Sequence, residues 1–196
     1  SVDSADDLTL GVSVEVATLA LVAKTGQITQ SAGTRVTVSG ATTLDARNAV
    51  LAQADNQFGG LVTIRGTAAT VVDQDALSVA LDAAGKVSLE AGGTLQVGGR
   101  LVGETGTLAL RGKAGVSLGE LQLGGTLTLV AAGPVTQTGE VRVSGTSAID
   151  AGSGGSVMLD RAGNDFGATV SVVGRSVSLV DQNALSVALD LGSADP

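Results

Sequence analysis

The sequence lacks the side chains on which most enzyme sites depend. It contains no cysteine, histidine, tyrosine or tryptophan, and its two phenylalanines are Phe58 and Phe166. Ser-His and Cys-His nucleophile systems are therefore excluded, as are zinc sites built from imidazole or thiolate ligands. No phosphate-binding loop or dinucleotide-binding fingerprint is present, and the AGSGGS segment at Ala151 lacks the nucleophile-elbow spacing. We predict that the chain is not an enzyme and has no cofactor.

Basic residues are also scarce, which limits the possible partners. The chain has 11 Lys and Arg against 19 Asp and Glu, a formal net charge of −8, and only Arg111 and Lys113 lie close together among the basic residues. Nucleic-acid binding normally requires a basic surface, often with aromatic rings for stacking. No apolar run approaches the roughly 18 residues of a membrane-spanning helix. We expect no nucleic-acid partner and no membrane insertion of this segment.

What the chain does contain is a long internal repeat. The segment from Asn56 to Leu81 returns from Asn164 to Leu189, and more than half of its positions are identical in the two copies. Shorter segments of alternating apolar and small polar residues, such as TLALVA and TLTLVA, recur at steps that mostly lie near twenty positions. A step of this length suits one coil of a parallel β-helix, in which each coil lies on its neighbour.

The composition favours the same fold class. The chain has 29 glycines, 2 prolines and 43% hydrophobic residues; glycine suits tight corners, and β-branched side chains fill pleated sheets well. No segment shows a 3.6-residue amphipathic period with caps. We predict an all-β, right-handed parallel β-helix, or β-solenoid, of about eight to nine coils with essentially no helix. A pair of antiparallel β-sandwiches is the alternative.

The repeats also suggest the domain organisation. Two repeat copies cover about 18–82 and 126–190, and ADDLTLG near the start resembles the later DALSVAL. The spacings between these related segments are unequal, and the difference corresponds to about two extra coils at 85–125. We predict that residues 1–196 form a single β-solenoid segment excised from a longer repeat array. Its partners would be the neighbouring repeats of that chain, and uncapped end coils would favour end-to-end self-association.

An Asn, a Phe and a Gly at equivalent positions of the two copies are predicted to shape a coil corner. They are Asn56, Phe58, Gly59, Asn164, Phe166 and Gly167. Asparagine can hydrogen bond at a turn or adopt a positive φ. We interpret both phenylalanines as core residues, the alternative being exposed anchors for a sugar ring or a partner. In the core role, Phe58→Ala should cost a few kcal/mol of local stability, and an unchanged melting curve would contradict that role.

Carboxylates follow the repeated corner. Asp73 and Asp75 flank Gln74, and the second copy holds Asp181 and Asn183. Paired carboxylates can hydrolyse glycosides, but Asn183 replaces the second acid. Asp73, Asp75 and Asp181 are also calcium candidates, although neither an EF-hand loop nor a calcium-binding nonapeptide repeat is present. We favour a structural interpretation in which these side chains bond to nearby backbone amides.

The repeats resemble those of a known protein family. The segment TLTLVAAGPVTQTGEVRVSGTSAIDA, followed by AGNDFGATVSVVGRSVSLVDQNALSVAL, is similar to the repeat arrays of filamentous-haemagglutinin-like adhesins, and TLALVAKTGQITQSAGTRVTVSGATTLDA follows the same pattern upstream. The resemblance covers nearly the whole chain. It implies a giant β-helical protein of the bacterial outer surface, exported by two-partner secretion or as an autotransporter, that attaches cells to hosts, surfaces or biofilm matrix. The absence of cysteine is compatible with export.

Three functions remain open from the sequence. The favoured one is a structural shaft segment of a large secreted bacterial surface adhesin. The alternative is a module that binds an exopolysaccharide or a host glycan, for which the extra coils at 85–125 would offer a nonrepeated surface. A polysaccharide-degrading enzyme is the third, and it rests on analogy with other β-helices alone.

Overall fold

The computed structural model describes residues 1–191, and none of them is helical. Residues 192–196 of the predicted solenoid lie outside the described residues. The strands are β1 Val2–Asp3, β2 Leu8–Leu10, β3 Val14–Val16, β4 Leu19–Gln30, β5 Val36–Val38, β6 Thr42–Leu51, β7 Gln57–Phe58, β8 Leu61–Asp73, β9 Leu77–Ala83, β10 Lys86–Ala91, β11 Thr94–Leu101, β12 Thr107–Gly112, β13 Gly115–Leu123, β14 Thr126–Ala131, β15 Val135–Gln137, β16 Val141–Val143, β17 Ser147–Asp150, β18 Ser156–Leu159, β19 Asp165–Phe166, β20 Val170–Val173, β21 Ser176–Leu179 and β22 Val187–Asp190. Within residues 1–191 there is accordingly no helix that could cross a membrane.

The strands of successive coils pair side by side in parallel. Every pairing among the described residues is parallel. This confirms the predicted β-solenoid and excludes the antiparallel sandwiches. The right-handed sense of the coils stays a prediction from the usual handedness of parallel crossovers.

Three stacks of strands make up the faces of the solenoid. Stack A runs through β1, the first halves of β4, β6 and β8, then β9, β11 and β13, above which it divides into β15, β18 and β21 on one side and β16 and β19 on the other. Stack B runs through β2, the second halves of β4, β6 and β8, then β10, β12, β14, β17, β20 and β22. Stack C contains β3, β5 and β7.

The number of coils follows from stack B. It holds ten strands in succession, joined by nine pairings. About nine coils are therefore present, as predicted, and at roughly 4.8 Å per coil the rod is on the order of 40 Å long.

The hydrophobic core is a column inside the coils. Leu21, Leu44 and Ile64 are successive partners in stack A and are at most 1% exposed. Their strands alternate buried and partly exposed residues, because successive side chains point to opposite faces of a strand. Each aliphatic side chain buried in this way contributes about 1.5–3 kcal/mol relative to exposure. The sequence alternation thus produces a core shared between neighbouring coils.

The cross-section of the rod changes along its length. Stack C ends at β7, and the stack A strands above it are long, with 7, 8 and 9 residues in β9, β11 and β13. The pairing of β11 with β13 shifts register between Val97 and Gly99. This irregularity lies where the long face later divides into two, so the middle coils form a surface unlike that of the first coils.

Equivalent segments of the two repeat copies lie on different faces of the rod. Residues 19–23 of the first copy belong to stack A, whereas their counterparts at 127–131 belong to stack B. Within stack B, Lys86 pairs with Thr107 and Thr107 pairs with Thr126, so residues 86–125 make two coils between the copies. The offset between the copies therefore does not equal a whole number of coils. It moves each segment to a strand of another stack.

Candidate functional site

The repeated asparagines form a buried hydrogen-bonded corner. Asn56 is 0% exposed, and its Oδ1 accepts hydrogen bonds from the Val36 amide at 2.9 Å and from Gln30 Nε2 at 2.7 Å. Its Nδ2 donates to Gln30 Oε1 at 2.9 Å and to the Leu51 carbonyl oxygen at 3.2 Å. The side-chain amide thus ties its own coil to the coil below.

The second copy repeats this arrangement with other residues. Asn164 is also 0% exposed, and its Oδ1 accepts from the Val141 amide at 3.0 Å and from Gln137 Nε2 at 2.8 Å. Its Nδ2 donates to Gln137 Oε1 at 2.9 Å and to the Leu159 carbonyl oxygen at 3.0 Å. The corner is therefore a defined Asn–Gln unit that has been copied with the repeat.

The phenylalanines next to these asparagines lie in the core. Phe58 and Phe166 are each 2% exposed, so neither ring is available as an exposed anchor. A Cβ added to Gly59 would lie 2.8 Å from the Ser39 carbonyl oxygen, and one added to Gly167 would lie 2.9 Å from that of Ser144. Such distances are shorter than side chains tolerate, so glycine permits the close approach of the coil below.

Asp73 closes the same corner from the coil above. It is 2% exposed, and its two carboxylate oxygens accept hydrogen bonds from the amides of Phe58 and Asp75, each at 2.7 Å. Burial raises the pKa of Asp73 above its ordinary value, while these two amide bonds oppose the rise. The carboxylate acts here as a backbone connector between coils.

The calcium candidates are not gathered into one cluster. Asp75 Oδ2 accepts from Gln57 Nε2 at 3.3 Å, and Asp181 Oδ1 accepts from the Asn183 amide at 3.3 Å in the other copy, several coils away. The other Asp181 oxygen is buried and receives no hydrogen bond from the described residues. No group of three or more acidic side chains within residues 1–191 is arranged to hold a metal ion.

A ladder of opposite charges runs up the outside of stack A. Asp45, Arg65, Asp82 and Arg100 are successive partners on four neighbouring coils. Arg100 Nε donates to Asp82 Oδ1 at 2.7 Å, and this hydrogen bond holds the pKa of Asp82 below its usual value. Exposed ion pairs contribute little stability, but a slip of one residue in pairing would separate these charges, so the ladder favours one register.

Two shallow pockets with adjacent lining residues make up a surface at this ladder, on the outer face of β9, β11 and β13. The first has a volume of about 220 Å³ and the second about 460 Å³. The first pocket contains Ser78, Gln96 and Gly98, and the second contains Asp82 and Arg100. We call this surface the mid-rod groove.

Sequence reasoning identified the corner asparagines but missed their partners and the groove. Gln30 and Gln137 precede the asparagines by 26 and 27 residues, within the ITQ and VTQ segments that both copies share. That shared glutamine was the available signal. The groove gave no signal in sequence, because it depends on which residues of three separate coils pair with one another.

Comparison with known families identifies the repeat. A family model described as repeats of unknown function (DUF5649) matches residues 1–65 and 105–173, which together are well over half of the chain. The chain belongs to this family. Searches of curated proteins and of solved structures returned no significant match.

The DUF5649 match bears on the mid-rod groove. Ser78, Asp82, Gln96, Gly98 and Arg100 all lie between the two matched segments. The groove is thus built mainly by residues outside the part of the chain that fits the family repeat.

Proposed function

We propose that this DUF5649 chain is a shaft segment of a large secreted bacterial surface adhesin. In this role it extends adhesive regions away from the cell toward hosts, surfaces or biofilm matrix. The similarity of its repeats to filamentous-haemagglutinin-like arrays motivates the proposal.

One observation supports it most directly. Stack B continues from β2 to β22 through nine parallel pairings with no break among the described residues. Each coil shares its core and its backbone hydrogen bonds with the next, as in other solenoids. Adding coils therefore lengthens the rod while every coil keeps the same kind of contacts. A rod of this kind suits a spacer.

The polar features of the coils are compatible with the same role. Hydrogen bonds join Asn56, Asn164 and Asp73 to backbone groups and glutamines of neighbouring coils. These buried groups fix how coils stack, since leaving any of them unpaired costs about 1–3 kcal/mol. Their contribution is to the shape of the rod.

Immunogold labelling of intact producing cells tests the proposal. Antibody fragments raised against this chain should label the outer surface without permeabilisation, at a distance from the membrane. A matched control uses fragments against a cytoplasmic protein of the same cells. Labelling of the chain only after permeabilisation would overturn the proposal.

A further inference from the structure

We propose that the mid-rod groove binds a neutral oligosaccharide chain laid along the rod axis. This function goes beyond a spacer and does not depend on the chain being part of an adhesin.

Two glycines leave the floor of the groove open. Gly98 and Gly119 lie in neighbouring strands and both line the groove. A Cβ added at Gly98 would meet its nearest neighbour, the Glu120 carbonyl oxygen, at 3.3 Å, and one added at Gly119 would meet Gly98 Cα at 3.4 Å. Neither glycine has a positive φ. An added Cβ would be tight at Gly98, where the backbone neighbour has to move by a few tenths of an ångström, and close to ordinary contact at Gly119.

The other strand glycines behave differently. An added Cβ would come within 2.7 Å or less of a backbone atom at each of Gly26, Gly66, Gly99, Gly112 and Gly115. Glycine within a strand lowers stability relative to alanine. At Gly98 and Gly119 the steric demand is much weaker than at those positions, and the missing side chains leave the floor of the groove open.

The walls carry groups that exchange hydrogen bonds with hydroxyls. On one side Ser78, Gln96 and Ser117 are successive partners, one on each coil and about 4.8 Å apart. On the other side Asp82 and Arg100 form the ion pair described above. The Asp82 side chain is 48% exposed and the Arg100 side chain 60%. Together these side chains offer hydroxyl, amide, carboxylate and guanidinium groups in repeating positions along the axis.

The backbone of the groove disfavours a peptide bound by strand addition. Strand β11 pairs with β9 on one side and with β13 on the other, so it has no free edge. A peptide that binds by strand addition needs a free strand edge. The outward side chains are the main contacts open to a ligand, which suits a chain of hydroxyl-bearing rings.

Charge selects a neutral oligosaccharide over an acidic polymer. The groove contains Asp82 and Glu120 against Arg100, and the whole chain has a net charge of −8. A polyanion would be repelled by this surface. Because no aromatic ring lines the groove, the affinity should be weak, in the millimolar range.

Amide chemical shifts of the full chain, recorded during titration with oligosaccharides, test this inference. The probes are maltohexaose, cellohexaose and chitohexaose as neutral ligands, with a hyaluronan hexasaccharide as the acidic one. We expect saturable shifts with at least one neutral probe, confined to the amides of Gly98, Gly99 and Gly119 and their neighbours. The hyaluronan probe should cause none.

Two variants and two matched controls give the test its specificity. Gly98→Val fills the floor and Arg100→Gln removes the guanidinium, and each should weaken binding by about tenfold. Ser88→Val and Arg111→Gln make the same kinds of change on stack B, where Ser88 and Arg111 lie outside the groove, and should leave binding unchanged. Melting temperatures of all four variants establish that each remains folded.

Several results would overturn the inference. They are the absence of shifts with every neutral probe, shifts located away from the groove, preferential binding of hyaluronan, and equal losses in the groove variants and the stack B controls. Labelling of intact cells is independent of these outcomes, so the spacer role and the groove stand or fall separately.

Discussion

Asn56 shows how single residues hold neighbouring coils in place. Its side chain joins Gln30 and the Val36 amide of one coil to the Leu51 carbonyl of the next, and it is completely buried. A side chain of similar size without an amide would leave several buried groups unpaired, which is more costly than the loss of the hydrogen bonds themselves.

Asn56→Leu should therefore destabilise the chain strongly. Each buried partner left without a hydrogen bond costs about 1–3 kcal/mol, so we expect a loss of about 3 kcal/mol in the free energy of unfolding. Urea denaturation followed by circular dichroism measures this loss. The control is Asn48→Leu, because Asn48 is partly exposed and its side chain donates, within residues 1–191, only to Gln27 at 3.2 Å. Equal effects of the two substitutions would contradict the role of the corner.

Asp82 offers a test by titration. Its hydrogen bond to Arg100 lowers the pKa of Asp82, so the folded state favours the charged carboxylate. The stabilisation from this group is present above the pKa of the unfolded chain and is lost as the pH falls through the folded pKa. In Arg100→Gln the titration midpoint of Asp82, measured from its side-chain carbon resonance, should move upward. An unchanged midpoint would show that Arg100 does not cause the shift.

The sequence alone predicted some of these single-residue roles. Asn56, Phe58, Asn164 and Phe166 stood out because they return at one offset. Their partner Gln30 did not stand out, since a glutamine in a polar segment of a β-rich sequence is ordinary unless its contact across a coil is known. The pairing of Asp82 with Arg100 was equally hidden, because 18 residues of chain separate the two.

At the scale of the strand, glycines decide where a coil can turn. Gly66 lies within β8 between the half that belongs to stack A and the half that belongs to stack B. It has φ of 140°, and an added Cβ would lie 1.7 Å from the Ala46 carbonyl oxygen. No other residue type fits this combination of backbone conformation and close approach.

Gly66→Ala should consequently disrupt the coil. We expect a loss of about 3 kcal/mol or more, since both backbone strain and a displaced neighbouring strand contribute. Gly98→Ala is the matched control within another strand, and its nearest contact of 3.3 Å predicts a change within about 1 kcal/mol. Thermal denaturation of the two variants compares them directly. Similar melting temperatures would refute the steric argument.

The strands themselves were largely predictable, and their arrangement was only partly so. Alternation of apolar and small polar residues gave the strand type and the coil length of about twenty residues. The lengthening of β9, β11 and β13 and the end of stack C at β7 were not predictable, because a short apolar segment does not reveal whether a corner or a straight strand follows it. The mid-rod groove arises from those features.

The whole molecule exposes apolar residues at its last described coil. Val187 and Leu189 are 36% and 53% exposed, whereas their counterparts Val79 and Leu81 in the first copy are each 4% exposed. The difference arises because β11 covers β9, while no described strand lies beyond β22. In the first copy, the equivalent surface is thus covered by the next coil of the rod.

We expect the isolated chain to associate end to end through this surface with the first coil of a second copy. A translation along the axis brings parallel strands of the same polarity together, which produces open-ended assemblies. Higher ionic strength should strengthen the association, because each chain has a net charge of −8 and repulsion is then screened. Sedimentation velocity over a range of protein and salt concentrations measures it. A strict monomer throughout would refute the expectation, and Leu189→Lys should reduce association if it occurs.

The change of stack between equivalent segments of the two repeat copies has a geometric consequence for recognition. A molecule that binds the repeated outer surface would meet the two copies at different angles around the axis. Rotation between copies thus presents the repeated outer surface in more than one direction around the axis.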